Sequence, residues 1–233
     1  MLVATAVPAE RDAVARAFPV APAEVPLPGA VLHRVPGGPD LLAAGVGPAR
    51  AAASVSAALT AAALGGTPCT LVVCAGIAGG FVPDAPVGSL VVADAITAAD
   101  LGAETAEGFL PVTELGFGTV THRPPEDLVR QAVAATGAAA GAVLTVSTVT
   151  GTAARAAALR ARHPGALAEA MEGFGVAEAA ALHGTPVLEI RAVSNPVGPR
   201  DRAAWRVGDA LTALTTAFGK LAPVLESWHP YDR

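Results

Sequence analysis

Four short segments of the sequence carry residues that could do chemistry, and each lies at or just after an extended stretch. They are residues 45–48, 74–80, 169–177 and 191–201. In open α/β sheets, ligands bind beyond the carboxyl ends of the strands, so these segments would meet at one edge of a sheet. Together they offer carboxylates, an arginine, an amide and runs of small residues that let a ligand approach the backbone.

The segment 169–177 contains the pair Met171-Glu172 between an extended stretch and an apolar helix. A carboxylate there can accept two hydrogen bonds from a vicinal diol, such as that of a ribose. The same glutamate could instead simply favour the helix dipole. Glu10, on the first turn after the opening strand, has the same two interpretations. Grouping with Glu172 and Arg191 at one strand edge favours the chemical one.

The segment 191–201 ends the last predicted strand. Arg191 stands within an otherwise apolar strand, where a charge is costly unless it meets a carboxylate. Two prolines, Gly198 and the pair Arg200-Asp201 then shape a rigid loop. The alternative is an elaborate turn in which Arg200 and Asp201 are only solvated.

Two segments are rich in small residues. Gly45-Val46-Gly47-Pro48 turns from a strand into a helix, and a helix N-terminus with glycines can bind an anion. It could equally be no more than a tight turn. Residues 74–80 predict a loop directly after the most apolar strand. Their spacing does not match the GxGxxG dinucleotide fingerprint, so a Rossmann-type cofactor site is not indicated.

Alternating strands and helices must position these segments. Several strands are apolar on both faces, as in central strands that helices cover on each side. The alternation predicts an α/β three-layer sandwich with a mixed, mostly parallel central sheet, in a single domain over residues 1–233. Predicted strands lie at 2–6, 31–35, 41–44, 70–74, 89–95, 143–149 and 187–194, and predicted helices at 9–18, 48–64, 126–136, 153–162, 174–183 and 203–225.

Two stretches are predicted to lack regular structure. Residues 100–123 are polar and Gly-rich, which predicts a surface or active-site loop. Residues 227–233, with Trp228, His229 and Pro230, predict a loose tail.

The composition excludes several classes of protein. The 233 residues carry a net charge of −5 with no basic cluster, which argues against a nucleic-acid partner. No apolar run of membrane-spanning length occurs, and the start lacks the basic region of a signal peptide. We therefore expect a cytoplasmic protein with no membrane partner. Cys69 and Cys74 form no CxxC pair, so neither a disulfide framework nor a zinc site is indicated.

In combination, the segments resemble the nucleoside phosphorylase/nucleosidase superfamily, in the branch of the methylthioadenosine/adenosylhomocysteine nucleosidases. Glu10 corresponds to that branch's water-holding glutamate, and Met171-Glu172 to its ribose-binding pair. Arg191 and Ser194-Asn195 fall on its Arg-x-x-Ser-Asp signature. The resemblance covers nearly the whole chain in the same order. It implies a nucleoside phosphorylase-like fold, a small-molecule nucleoside substrate, no metal or organic cofactor, and a homo-oligomer of two or more copies.

Within that superfamily, the variant Ser-Asn-Pro-Val-Gly-Pro-Arg-Asp-x3-Trp at residues 194–205 resembles the futalosine hydrolases. This implies hydrolysis of the N-glycosidic bond of futalosine to hypoxanthine and dehypoxanthine futalosine, in menaquinone biosynthesis. Asn195 replaces the Asp of adenine-specific relatives, and its NH₂ group suits a 6-oxopurine. The alternatives are a nucleosidase for methylthioadenosine, adenosylhomocysteine or aminodeoxyfutalosine, and a purine nucleoside phosphorylase. Glu10 would be a poor neighbour for phosphate.

The resemblance also implies the role of each residue. Glu10, oriented by Arg191, would accept a proton from water, and Glu172 would hold the ribose and favour its developing positive charge. Asn195 would bind the base, and Asp201 could replace the missing general acid. The residues expected to contact substrate are Met171, Glu172, Ala75, Gly76, Ile77, Val149 and Ser194. The 5′ group of futalosine carries a benzoate, for which Phe81, Phe109, Phe117, His122 and Arg123 are candidates, each equally suited to packing or the surface.

Overall fold

A ten-stranded sheet forms the middle layer of the molecule in a computed structural model that describes residues 1–229. The strands of the described residues are β1 (Leu2–Thr5), β2 (Ala23–Leu27), β3 (Ala30–Arg34), β4 (Asp40–Ala43), β5 (Val72–Gly80), β6 (Leu90–Ala98), β7 (Gly102–Thr105), β8 (Gly108–Pro111), β9 (Thr121–His122), β10 (Ala139–Thr145), β11 (Ala166–Ala170) and β12 (Val187–Pro196). The sheet order is β11-β10-β6-β12-β5-β1-β4-β3-β2, with β9 paired to β6 and with β7 and β8 in a separate hairpin.

The two longest pairings of the sheet are parallel. They join β5 to β12 and β6 to β10. β1 also pairs in parallel with β4 and β5, whereas β12 and β6 run antiparallel. The expected mixed, mostly parallel α/β sheet is thus confirmed.

One side of the sheet curls back on itself. Ala168 and Glu169 of β11 pair with Gly80 and Gly79 at the end of β5. This contact closes β5, β12, β6, β10 and β11 into a ring. Gly80 has no room for a side chain, since a Cβ atom there would lie 2.1 Å from the carbonyl oxygen of Ala85. The closure brings the end of β11 next to the ends of β5 and β12.

Helices cover both faces of the sheet. On one face, α2 (Pro48–Leu64) and α5 (Gly173–Leu182) bury their apolar residues. On the other, α1 (Pro8–Ala15), α3 (Glu126–Thr136) and α6 (Val207–Ser227) do the same. α4 (Ala153–Arg162) contributes Leu159 to a smaller cluster. Gly175 lets α5 meet the start of α2, because a Cβ atom on it would lie 2.0 Å from the carbonyl oxygen of Pro48.

The predicted helices agree with these elements, and α2, α3 and α4 begin and end at the predicted residues. The prediction of a loop at 74–80 is wrong, because β5 continues to Gly80. Its small apolar residues stay extended since they pair with β12 along their whole length. The stretch 100–123, predicted as a loop, contains β7, β8 and β9. The strands β2 and β11 were not among the predicted strands.

The chain end differs from the loose tail predicted for residues 227–233. Ser227 is the last residue of α6, and Trp228 is buried with its indole Nε1 donating to Asp127 Oδ2 at 2.9 Å. Residues 230–233 lie outside the described residues. None of the described helices is long and apolar enough to cross a membrane.

Candidate active site

A cavity of about 540 Å³ opens where the chain leaves β1 and β12 and beside the last residues of β5 and β11. It brings together three of the four segments that the sequence predicted to meet, together with Val46 of the fourth. Among the predicted site residues, Glu10, Ile77, Val149, Met171, Glu172, Ser194 and Asn195 line this cavity.

Glu10 is held by three backbone amides. Its Oε2 accepts hydrogen bonds from the N–H groups of Ala6 at 2.9 Å and Val7 at 3.3 Å, and its Oε1 accepts from the N–H of Ile77 at 2.8 Å. The side chain is buried at the start of α1, and this burial raises the pKa of Glu10 while the charge of Arg191 partly opposes the rise. The site therefore holds a fixed carboxylate whose pKa is shifted toward that of a general base.

Gly76 separates the carboxylate of Glu10 from the guanidinium of Arg191. A Cβ atom at this position would lie 2.6 Å from Glu10 Oε1 and 2.7 Å from Arg191 Nη1. Gly76 and its neighbour Ala75 do not line the cavity, and Ala75 belongs to the core beneath the sheet. The prediction that these two residues contact substrate is corrected: Gly76 makes room for protein side chains instead.

Arg191 is almost fully buried and contacts two glutamates. Its Nε donates to Glu189 Oε1 at 2.8 Å, and its Nη1 lies 3.4 Å from Glu172 Oε2. Within residues 1–229 no ion pair joins Arg191 to Glu10, so the prediction that Arg191 orients Glu10 is wrong. Arg191 instead contacts Glu172 and Glu189, and it influences Glu10 through its charge.

Glu172 has both carboxylate oxygens engaged. Oε1 accepts from the N–H of Gly47 at 3.2 Å, and Oε2 faces Arg191. Gly47 adopts a φ of 87°, a left-handed conformation that favours glycine. The Gly-rich turn before α2 is therefore an anion-binding site, as one interpretation of the sequence suggested, but the anion that it binds is a carboxylate of the protein itself.

Asn195 presents an amide of fixed orientation at the end of β12. Its Oδ1 accepts from the hydroxyl of Ser194 at 2.8 Å, and its Nδ2 donates to the carbonyl oxygen of Pro196 at 3.0 Å. Because Ser194 occupies the acceptor, the amide offers a donor to the cavity. Within the described residues, Nδ2 donates only to Pro196, so its second N–H is available to a ligand.

Asp201 lies outside the cavity and is exposed. Its Oδ1 accepts from the N–H of Ala203 at 3.1 Å and caps the short 3₁₀ helix Arg202–Ala204. Short polar side chains readily form such local bonds. This position does not support the expected general acid, and the prediction for Asp201 is corrected.

Comparison with known proteins gives the family. Residues 11–226 match the model of the phosphorylase superfamily. The futalosine hydrolase of Streptomyces coelicolor is 79% identical over 233 residues, which cover 100% of this chain and 99% of the relative. The chain belongs to the phosphorylase superfamily and, within it, to the futalosine hydrolases.

Further relatives agree with this assignment. The futalosine hydrolase of Acidothermus cellulolyticus is 46% identical over 225 residues, or 94% of this chain and 89% of that protein. A solved structure of the Helicobacter pylori futalosine hydrolase matches with a TM-score of 0.79 at 18% identity, covering 96% of this chain and 97% of that one. At that identity, the structural match supports the fold of the superfamily alone.

Sequence reasoning missed two buried glutamates of this superfamily site. Glu169 lines the cavity, and both of its oxygens accept hydrogen bonds from Thr150, one from the N–H at 2.8 Å and one from the hydroxyl. It thus fixes the loop after β10, and burial raises its pKa. Glu189 is fully buried beside Arg191. Glu189 lies two residues before Arg191 on β12, so both side chains lie on the same face of the sheet. This spacing could have identified Glu189 from the sequence.

The residues considered for the 5′ group of the substrate do not line the cavity. Phe81 belongs to a core cluster, Phe109 packs under Arg162, and Phe117 is exposed. His122 lies 2.6 Å from Glu178, and Arg123 lies at a separate cavity. Residues 102–122 contain the β7–β8 hairpin and β9, and a role for these five residues at the 5′ group stays a prediction. Arg200, Arg202 and Trp205, which were not among these candidates, do line the cavity.

Proposed function

We propose that this protein hydrolyses the N-glycosidic bond of futalosine, releasing hypoxanthine and dehypoxanthine futalosine, as a step of menaquinone biosynthesis. Its high identity to a full-length futalosine hydrolase supports the reaction. The observation that carries the proposal is the grouping of Glu10, Glu172 and Asn195 around one cavity. These three side chains match the three demands of the reaction: activated water, a held ribose and a stabilised purine.

Glu172 binds the sugar in this proposal. A carboxylate has about four lone-pair positions, and the contacts with Gly47 and Arg191 leave capacity for the ribose hydroxyls. The transition state of N-glycoside hydrolysis carries positive charge on the ribose. A carboxylate fixed beside it stabilises that charge without reorganising.

Glu10 activates the water. The water oxygen bonds to C1′ of the ribose as the bond from C1′ to the purine nitrogen breaks, and the electron pair leaves with the purine. A proton of the water passes to Glu10, whose raised pKa suits this task. The three amides that hold Glu10 keep its orientation constant through the step.

Asn195 binds the departing base. Asn195 lines the cavity, its Nδ2 has one N–H beyond the bond to Pro196, and N7 and O6 of hypoxanthine are both acceptors. Donation to these atoms stabilises the negative charge that the base acquires when it leaves. An adenine base would instead present its 6-amino donor to the amide donor, which disfavours adenine nucleosides.

Water is favoured over phosphate as the nucleophile. The cavity wall around the proposed sugar position carries the carboxylates of Glu10, Glu172 and Glu169. These would repel a phosphate dianion, and phosphorolysis therefore has no support at this position.

The deciding experiment is turnover in phosphate-free buffer of futalosine beside inosine, adenosine and methylthioadenosine, with released bases separated by chromatography. Release of hypoxanthine from futalosine supports the proposal. Release of adenine, or turnover that requires added phosphate, would overturn it and leave the fold unchanged.

A homo-oligomer of two or more copies and a cytoplasmic location also belong to this proposal. Both rest on the superfamily resemblance and on the sequence, and sedimentation of the purified protein tests the first.

A further inference from the structure

Cations occupy only one part of the cavity wall. Among the cavity-lining residues within 1–229, the positively charged side chains are Arg200 and Arg202, both on the loop that follows β12. The carboxylates of Glu10, Glu169 and Glu172 line the remainder. A substrate with one anionic group can therefore place that group favourably only toward this loop.

An aromatic ring holds the two guanidinium groups close to the cavity. The Cζ atoms of Arg200 and Arg202 lie 5.2 Å and 5.9 Å from the ring centroid of Trp205, which is half-buried. Guanidinium groups at this distance from an indole are attracted by its π face. Both arginines are therefore confined near one ring at the rim of the site.

Neither arginine is neutralised by a carboxylate of the described residues. No ion pair within 4.0 Å involves Arg200 or Arg202 in residues 1–229, and the carboxylate of Asp201 between them bonds to the N–H of Ala203 instead. Arg206, on the same loop, differs because it pairs with Asp209 at 2.7 Å. The donors of Arg200 and Arg202 are thus available to a ligand.

We propose that Arg200, Arg202 and Trp205 form a binding site for an aryl carboxylate, the benzoate at the 5′ end of futalosine. The inference rests on the proposed function, which places the base at Asn195 and the ribose at Glu172. The loop follows Pro196, the residue after Asn195, and it lines the same cavity as Glu172, so it lies within the space that a bound substrate would occupy. The guanidinium forks bind the carboxylate through paired hydrogen bonds, and the indole contacts the aryl ring.

A second cavity also combines a ring with cations. It has a volume of about 460 Å³ and contains Phe109, Arg123 and Arg162. It shares no lining residue with the cavity of Glu172. A group covalently attached to a ribose bound at Glu172 would therefore contact the loop after β12, which lines the same cavity, rather than the second cavity.

The test compares futalosine with its methyl ester, which keeps the aryl group and lacks the charge. For the unmodified protein we expect kcat/KM to be about 10- to 100-fold higher for the acid, the range of one or two charge-assisted hydrogen bonds. In the double variant Arg200→Gln/Arg202→Gln this preference should vanish, because KM for the acid rises while KM for the ester does not. The matched control is Arg206→Gln, which removes a paired arginine of the same loop and should keep the full preference.

A variant at the ring gives a second, independent readout. Trp205→Leu should lower kcat/KM for acid and ester alike, since it removes the aryl contact, and should also reduce the preference for the acid. Equal kcat/KM for acid and ester in the unmodified protein would overturn the binding site while leaving the hydrolase intact. So would an undiminished preference in the double variant. Failure of the unmodified protein to release hypoxanthine from either substrate would overturn both the site and the proposed function.

Discussion

A methyl group added at Gly76 would enter the space between the side chains of Glu10 and Arg191. The added Cβ atom would lie 2.6 Å from Glu10 Oε1 and 3.0 Å from Glu10 Cδ. Neither side chain can yield freely, because Glu10 is fixed by three amides and Arg191 by Glu189 and Glu172. The Gly76→Ala substitution should therefore displace Glu10 from the N–H of Ile77.

The size of the effect follows from two costs. Overpacking a tight site costs about 1–3 kcal/mol, and a buried N–H left without its partner costs about 1–3 kcal/mol more. The free energy of unfolding should thus fall by roughly 2–6 kcal/mol. If Glu10 is the general base, its displacement should also lower kcat by on the order of 10²- to 10⁴-fold.

Urea unfolding and futalosine turnover measure these two effects. The matched control is Gly219→Ala in α6, where an added Cβ atom meets nothing within 4 Å and should stabilise the helix by about 0.5–1 kcal/mol. Combining Gly76→Ala with Glu10→Ala removes the obstructed carboxylate, so the two stability costs should be less than additive. A Gly76→Ala protein with unchanged kcat and unfolding free energy, or with fully additive costs, would refute the reasoning.

Three further predictions concern single side chains. Asn195→Asp should lower hypoxanthine release from futalosine by at least about 10-fold, because an ionised carboxylate repels O6 and loses a hydrogen bond of about 1–3 kcal/mol; full activity would contradict the base-binding role. The kcat/KM for futalosine should fall as pH drops through the raised pKa of Glu10, since the base must be deprotonated. If kcat/KM stayed constant until the pH reached the usual pKa range of a glutamate, Glu10 would not be the base. Burial also raises the pKa of Glu169, so its contribution to stability is present at low pH and is lost as pH rises through that raised value. Glu169→Gln should therefore flatten the fall of the melting temperature over that window, and an unaltered pH profile would argue against this.

Much of the candidate site could be predicted from residue types because the residues follow strands that alternate with helices. Glu10, Glu172 and Asn195 do meet at one cavity. Arg191 was correctly expected to require a carboxylate, but the partner was misassigned. Its nearest acceptor, Glu189, lies two residues earlier on the same strand face, whereas Glu10 is held by backbone amides that no side-chain pattern reveals.

The path of β5 and the closure of β11 onto it could not be predicted locally. Residues 75–80 are small and Gly-rich, which favours a loop, and they are extended because β12 pairs beside them. The place of Glu169 depends on pairing between residues about ninety positions apart, Gly79 and Glu169. Likewise, the polar, Gly-rich stretch 100–123 gave no sign of the β7–β8 hairpin within it.

The backbone pairing of β11 with β5 also determines how rigid the cavity is when a substrate binds. Glu169 is paired to Gly79, and the N–H of Phe81 donates to the carbonyl oxygen of Leu167 at 2.9 Å, so two walls of the cavity belong to one network of backbone hydrogen bonds. These walls cannot separate like the halves of a hinge without breaking the ring of strands. The carboxylates and amides are consequently preorganised, and binding energy is not consumed in aligning them. Adaptation to different substrates is left to the loop after β12, which can change its sequence without disturbing the groups that break the bond.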